Sequence, residues 1–145
     1  MRVMNLWLKA VLENDMIPIL CVGETEEERK EGQTEERIGS EIRTALFALS
    51  KEETAKMVIA YEPIWAIGSG QAATPKDAEE IASFIRKTVK EAAGKKAADE
   101  VRILYGGSVN GDNISYFLKQ KNIDGALIGG ASLKPDTMID IYNKA

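Results

Sequence analysis

One short stretch, "AYEPIWAIGSG" at residues 60–70, places a lone carboxylate, Glu62, between an apolar segment and a loop that contains two glycines. A carboxylate in this position is often an ordinary residue at the edge of a loop, and spacing alone favours that interpretation. The same carboxylate could act as a general base if the apolar loop excluded water from it. The stretch by itself therefore leaves a structural and a chemical interpretation open.

Two glycine pairs follow later apolar segments: Gly106 and Gly107 precede Ser108, and Gly129 is followed by Gly130. Phosphate groups bind where several backbone N–H groups approach closely, and glycine permits this approach because it has no Cβ. Isolated glycine pairs are more often simple turns. They indicate a phosphate site only if the fold brings them to the same place.

The elements that carry these residues alternate between short apolar runs and helical patterns, which is typical of parallel strand–helix units. The pattern predicts strands at residues 17–22, 57–61, 101–105 and 126–128, and an acidic loop after the first strand. It predicts helices at residues 3–14, 34–49, 74–93, 112–120 and 135–142. Ligands of such folds bind at the carboxyl ends of the strands, so the polar loops are expected to converge on one rim. The absence of a linker predicts a single domain over residues 1–145.

Composition argues against several classes of protein. The net charge is −4 and the basic residues have acidic neighbours, a pattern typical of solvated helix faces rather than of nucleic-acid binding. The chain contains no histidine and a single cysteine, which disfavours a zinc site and allows no internal disulfide. The longest apolar run, residues 16–22, is far shorter than the roughly 20 residues that span a bilayer. We therefore expect a cytoplasmic protein without a metal, a cofactor, a membrane or a nucleic-acid partner.

Two apolar positions allow structural and functional interpretations. Cys21 lies inside an apolar run, so we expect it to pack as a small hydrophobic residue rather than to act as a reactive thiol. Trp7 makes the first helix apolar on adjacent faces, and such a helix needs cover on more than one side. Trp7 could be a local variation of the core or could pack against another chain.

Four stretches together resemble the triosephosphate isomerase family: "ILCVGET" (19–25), "AYEPIWAIGSG" (60–70), "RILYGGSV" (102–109) and "DGALIGGASL" (124–133). They stand in that family's order and at its usual spacing, and the resemblance covers essentially the whole chain. The family fold is the eight-stranded TIM (β/α)8 barrel, which typically needs about 250 residues. The resemblance therefore implies an α/β chain that forms about half of the barrel, from the fourth helix to the eighth strand–helix unit.

The resemblance also implies an activity, the interconversion of dihydroxyacetone phosphate and glyceraldehyde 3-phosphate in glycolysis and gluconeogenesis. Glu62 would be the catalytic base of this reaction. The phosphate of the triose phosphate substrate would be bound by Gly68, Ser108, Gly129 and Gly130.

A mobile lid over the site is implied at residues 63–73. Pro63 would restrict one hinge of the lid and Trp65 would lie in its apolar part, while Gly70 would supply backbone freedom. Ala73 and Tyr105 resemble the pair that latches the closed lid. Outside the lid, Glu24 and Arg29 match a loop that supports the site, and we expect them to be structural.

Other parts of the family's site are missing from the sequence. The first four strands are absent, and so are the loop-one lysine and asparagine and the histidine after the fourth strand. We therefore expect little or no isomerase activity from this chain alone, and the two open sheet edges predict self-association or a partner that supplies the missing half. Alternatives are a non-catalytic phosphate-binding half barrel or scaffold module and, less favoured, an unrelated open sheet of flavodoxin type.

Overall fold

A computed structural model describes residues 2–69 and 71–145 of the chain. Its strands are β1 (Ile19–Val22), β2 (Val58–Tyr61), β3 (Arg102–Tyr105) and β4 (Gly125–Ala126). Its helices are α1 (Arg2–Glu13), α2 (Glu26–Lys30), α3 (Thr34–Ala45), α4 (Lys51–Ala55), α5 (Pro75–Ala93), α6 (Lys95–Glu100), α7 (Ile114–Leu118) and α8 (Pro135–Lys144). Two short 3-10 turns cover Ile64–Ala66 and Gly130–Leu133. Within the described residues, no helix is both long and apolar enough to cross a membrane.

The four strands form one parallel sheet in the order β1-β2-β3-β4. This order confirms the predicted succession of strand–helix units and is that of half a barrel, whereas flavodoxin-type sheets are ordered 2-1-3-4-5. The flavodoxin-type alternative is therefore wrong. Among the described residues, β1 and β4 are the two edges of the sheet.

The register of the sheet decides which side chains are buried. Leu20 is aligned with Ile59 and Ile103, and all three are buried on the face that the helices cover. Cys21 is the next residue of β1, so it points to the opposite face, where it is exposed. The prediction that Cys21 packs as a buried hydrophobic residue is therefore wrong, because it sits on the inner face of an edge strand.

Local capping residues account for the helix boundaries. Helix α5 begins as predicted, because the Thr74 hydroxyl accepts a hydrogen bond from the Asp77 N–H (3.1 Å) and Pro75 follows at the first helical position. It ends at Gly94, whose φ is 92°. The acidic loop predicted after β1 instead contains α2, since Thr25 and Glu28 form a capping box.

The helix predicted at residues 34–49 ends early, and a second capping box starts another helix after it. Helix α3 ends at Ala45, and Ala48 then takes a positive φ of 58°. Ser50 and Glu53 cap the start of the separate helix α4. The predicted helix therefore ends four residues early, because the chain turns at Ala48, and the separate helix α4 after it was not predicted.

The other boundaries differ from the prediction by a few residues. Helix α7 is shorter than the predicted 112–120, and α6 was not predicted. Strand β4 ends at Ala126, although the Leu127 N–H still donates to the Tyr105 carbonyl (2.9 Å) and continues the ladder by one step.

Five helices form an outer wall behind the described part of the sheet, and each contacts the next in the order α1, α3, α5, α7, α8. The core lies between this wall and the strands, and its fully buried side chains include Ile38, Ile42, Ile59, Ile85 and Ile103. The wall is not covered on its α1 side. There the exposed apolar side chains are Val3, Met4, Leu6 and Trp7, of which Trp7 is 65% exposed.

Candidate active site

The backbone around Glu62 continues the sheet beyond the ends of the strands. The Glu62 N–H donates to the Val22 carbonyl (2.8 Å), and the Gly106 N–H donates to the Tyr61 carbonyl (2.8 Å). Glu62 is therefore held at the carboxyl ends of the strands, between the residues that follow β1 and those that follow β3.

Two glycines pack against Glu62 from these neighbouring segments. A Cβ on Gly106 would lie 2.5 Å from the Glu62 Cγ, so the Glu62 side chain lies directly over the Gly106 backbone. A Cβ on Gly23 would lie only 1.8 Å from the Glu62 carbonyl oxygen. No larger residue fits either position without moving Glu62, so the carboxylate projects from a tightly confined backbone.

A cleft of about 460 Å³ opens beside the Glu62 carboxylate. It is lined by Glu62, Ile67, Gly68, Gly106, Gly107, Ser108, Val109, Leu127, Ile128, Gly129, Gly130 and Ala131. The structure thus brings the residue expected to be the base together with the four residues expected to bind phosphate. None of these lining residues carries a cationic side chain.

The lid contacts the body of the protein at a few of its described residues, while Ile64 and Ile67 are about half exposed. The Ser108 hydroxyl donates to the Ala66 carbonyl (2.9 Å), and the Ala73 N–H donates to the Tyr105 hydroxyl (3.0 Å). Gly68 has a positive φ of 64°, which favours glycine, while Gly70 lies outside the described residues. The loop that begins at Pro63 is thus tied to the last residue of β3 and to the segment that follows it.

A third tie to the lid comes from Glu24, whose side chain is fully buried. One of its carboxylate oxygens accepts hydrogen bonds from the Tyr61 hydroxyl (3.1 Å), Trp65 Nε1 (3.1 Å) and Arg29 Nη1 (3.2 Å). Burial, followed by the charge of Glu24, raises the pKa of Tyr61, so this hydroxyl remains a donor. Sequence reasoning expected structural support from Glu24 and Arg29 but did not find the contact with Trp65.

Sequence reasoning also missed Cys21 as a neighbour of Glu62. Partial desolvation raises the pKa of the Cys21 thiol to about 11, and the charge of the Glu62 carboxylate contributes to the rise. The signal available in the sequence was the alternation of β1, which puts Cys21 on the face opposite to Leu20 and Val22.

This contact predicts that Glu62→Gln makes the thiol more reactive. Loss of the negative charge lowers the Cys21 pKa, and a fall of half a unit would raise the thiolate fraction about threefold at pH 8.5. The rate of iodoacetamide alkylation reports this directly, since Cys21 is the only cysteine. Glu91→Gln, on the exposed face of α5, is the control and should leave the alkylation rate unchanged. An unchanged rate in Glu62→Gln as well would contradict the contact between Glu62 and Cys21.

Comparison with known proteins agrees with this geometry. The sequence profile of the triosephosphate isomerase family matches residues 2–145. The chain is 52% identical over 137 residues to a triosephosphate isomerase of Dictyoglomus turgidum, with 94% of this chain and 55% of that protein covered. It is 49% identical over 142 residues to one of Clostridium tetani, with 98% of this chain and 56% of that protein covered. It thus spans about half the length of these relatives, and it belongs to the triosephosphate isomerase family.

Proposed function

We propose that this chain supplies the base and the phosphate-binding half of a triose-phosphate isomerase site, which interconverts dihydroxyacetone phosphate and glyceraldehyde 3-phosphate. The observation that supports the proposal is the shared cleft, in which Glu62 lies beside the glycine loops that follow β3 and β4. The two curated relatives described above carry the name of this enzyme.

The proposed reaction begins with binding of the phosphate group by backbone N–H groups of the glycine loops. Gly129 and Gly130 have nothing within 4 Å of the place where a Cβ would lie, so an anion has room to approach their backbone. The Glu62 carboxylate would then take a proton from the carbon beside the substrate carbonyl and return it to the neighbouring carbon, while the hydroxyl proton of the first carbon passes to the former carbonyl oxygen. Ile67 lines the cleft from the lid and would exclude water from the reacting atoms.

Among the described residues that line the cleft, no side chain is suited to polarise the substrate carbonyl. The chain has no histidine, and the described residues around the cleft include no lysine or arginine. Positioned electrostatic groups of this kind typically lower a barrier by about 3–4 kcal/mol each. We therefore expect the isolated chain to bind a phosphate ester and to have little or no isomerase activity.

Calorimetric titration with 2-phosphoglycolate, a phosphate ester that also carries a carboxylate, tests the phosphate-binding half. We expect saturable binding that weakens about tenfold or more in Gly130→Ala, since a methyl group at the cleft wall removes at least one hydrogen bond to a charged ligand. Ser115→Ala on α7, outside the cleft, serves as the control. No saturable binding, or equal affinity in Gly130→Ala, would contradict the proposal.

The wall of helices favours one kind of partner. An eight-stranded barrel has one wall helix for each strand, but residues 2–69 and 71–145 of this chain form five wall helices and four strands. Two copies together would have ten wall helices for eight strands. Where the two copies meet, α1 of one copy and α8 of the other would have to occupy the same position in the helix wall. A partner with four strands and three helices fits without this conflict.

The open edge of β1 has a surface suited to such a partner. A groove of about 330 Å³ lies there, and among its lining residues are Val3 and Trp7 of α1 together with Leu20 and Cys21 of β1. Unpaired backbone groups at a sheet edge favour the addition of another strand. We propose that a four-strand, three-helix partner, rather than a second copy of this chain, closes the barrel.

Sedimentation velocity distinguishes the two partners. The chain would be mixed with the part of the Dictyoglomus turgidum relative that it does not match, and we expect a complex with one copy of each. Trp7→Lys should weaken this complex, whereas Tyr116→Lys, an exposed aromatic residue on α7, should not. A stable dimer of this chain that excludes the added half would overturn the assignment.

A further inference from the structure

Glu41 on α3 is a partly buried carboxylate that the proposed reaction does not use. Its side chain is 22% exposed; one oxygen is paired with Arg37 Nη2 (3.0 Å), and the other accepts a hydrogen bond from the Gly23 N–H (3.3 Å). Burial raises the pKa of Glu41, while Arg37 and the Gly23 N–H oppose the rise. Glu41 is therefore held at a desolvated position by a specific contact with the backbone that follows β1.

The backbone that Glu41 contacts is the one that confines Glu62. Gly23 packs so closely against the Glu62 carbonyl that no Cβ fits, and the same Cβ would lie 3.3 Å from the Pro63 nitrogen. On one side of Gly23, the Val22 carbonyl accepts from the Glu62 N–H, and on the other the Glu24 carbonyl accepts from the Ile64 N–H (3.0 Å). A shift of Gly23 would therefore move the backbone from which Glu62 and the lid project.

We propose that Glu41 is a positioning residue for Glu62, which it holds in place through the Gly23 N–H. This inference rests on the proposed function, in which Glu62 is the base. In the described structure β1 is an edge strand and has a neighbouring strand on one side only. The Glu41 side chain, which comes from the helix layer, helps to fix the end of this strand. Glu41 does not touch the cleft, so its effect on Glu62 passes through the backbone.

The Cys21 thiol provides a readout of this effect that needs neither substrate nor partner. The Glu62 carboxylate contributes to the raised pKa of Cys21, so displacement of Glu62 changes the rate of alkylation. Glu41 and Cys21 also line the same groove, which means that loss of the Glu41 charge could act on the thiol directly. The experiment must therefore separate a direct effect from one that passes through Glu62.

A double-mutant cycle makes this separation. We expect Glu41→Leu to raise the alkylation rate at pH 8.5 at least about twofold, since a fall of 0.3 in the thiol pKa doubles the thiolate fraction. Glu41→Gln keeps an oxygen that can accept from the Gly23 N–H and should stay close to the wild-type rate. In the Glu62→Gln background, Glu41→Leu should have no further effect. Glu36→Leu, on the exposed face of α3, controls for changes in the helix.

An unchanged rate in Glu41→Leu would overturn the proposal, and so would an increase of the same size in the Glu62→Gln background. The second result would show that Glu41 acts on Cys21 directly. Far-UV circular dichroism of each variant checks the fold, and Glu41→Ala, which also removes the acceptor for the Gly23 N–H, replaces Glu41→Leu with the same expected results if Glu41→Leu does not fold. The alkylation assay needs no ligand. Failure to bind 2-phosphoglycolate would therefore contradict the proposed function without affecting the test of whether Glu41 positions Glu62.

Discussion

Replacement of Glu62 by Gln should lower kcat/KM of the completed barrel by about 10³-fold, within the range of about 10²–10⁴ that general base catalysis contributes. The completed barrel here is the complex of this chain with the missing half of a relative. Gln has nearly the same shape as Glu, so the contacts with Gly23 and Gly106 would be kept while the proton acceptor is lost. A coupled assay of triose phosphate interconversion measures the effect.

The matched control is Glu91→Gln, which removes a carboxylate from the exposed face of α5. Its kcat/KM should stay within a factor of two of the wild-type value. A loss of less than about tenfold in Glu62→Gln would show that another group takes the proton, because a base at this position cannot contribute so little. In that case the cleft could still bind the substrate phosphate, but Glu62 would not be the catalytic base.

Gly23→Ala should destabilise the chain by about 3 kcal/mol, at the upper end of the usual range for overpacking. The added Cβ would meet the Glu62 carbonyl oxygen at 1.8 Å, and this atom belongs to the backbone, which cannot rotate away as a side chain could. Urea unfolding measures the free-energy difference. Gly130→Ala is the control, because its Cβ would enter open space and should change stability by no more than about 0.5 kcal/mol.

Equal stability of Gly23→Ala and Gly130→Ala would contradict the close packing of Gly23 against Glu62. It would also weaken the link from Glu41 to Glu62, which depends on the same contact. The stability of Gly23→Ala tests the contact between Gly23 and Glu62. The alkylation of Glu41→Leu tests the contact between Glu41 and Gly23 by a different method.

Local signals allowed much of the fold to be predicted from the sequence. The start and end of α5 follow from Thr74, Pro75 and Gly94, which act within one turn of the chain. The same kind of signal was present at Thr25 with Glu28, where a capping box starts α2. This helix was missed because it is only five residues long and has no apolar stripe.

The orientation of Cys21 could not be predicted from the apolar character of its run. Whether a strand residue is buried depends on the register and on the strands beside it, and a shift by one residue exchanges the two faces. Cys21 is exposed because β1 lies at the edge of the described sheet and Cys21 faces away from the helices.

The candidate site was predicted by resemblance, but its supporting contacts are distant in sequence. Glu24 and Trp65 are 41 residues apart, and Ala73 and Tyr105 are 32 apart. Resemblance of the motifs led to Ala73 with Tyr105, while no spacing rule led to Gly23, Glu41 or the contact between Glu24 and Trp65. Such contacts exist only after the parallel strands have been placed side by side.

The most direct test of the account is a coupled isomerase assay on three samples: this chain alone, the missing half of the Dictyoglomus turgidum relative alone, and the two together. We expect turnover only in the mixture, with Glu62→Gln in this chain removing it, because the proposed function puts the base in this chain and requires the other half to polarise the carbonyl. Activity of this chain alone that disappears in Glu62→Gln would contradict the account. It would mean that the carbonyl is polarised without a histidine.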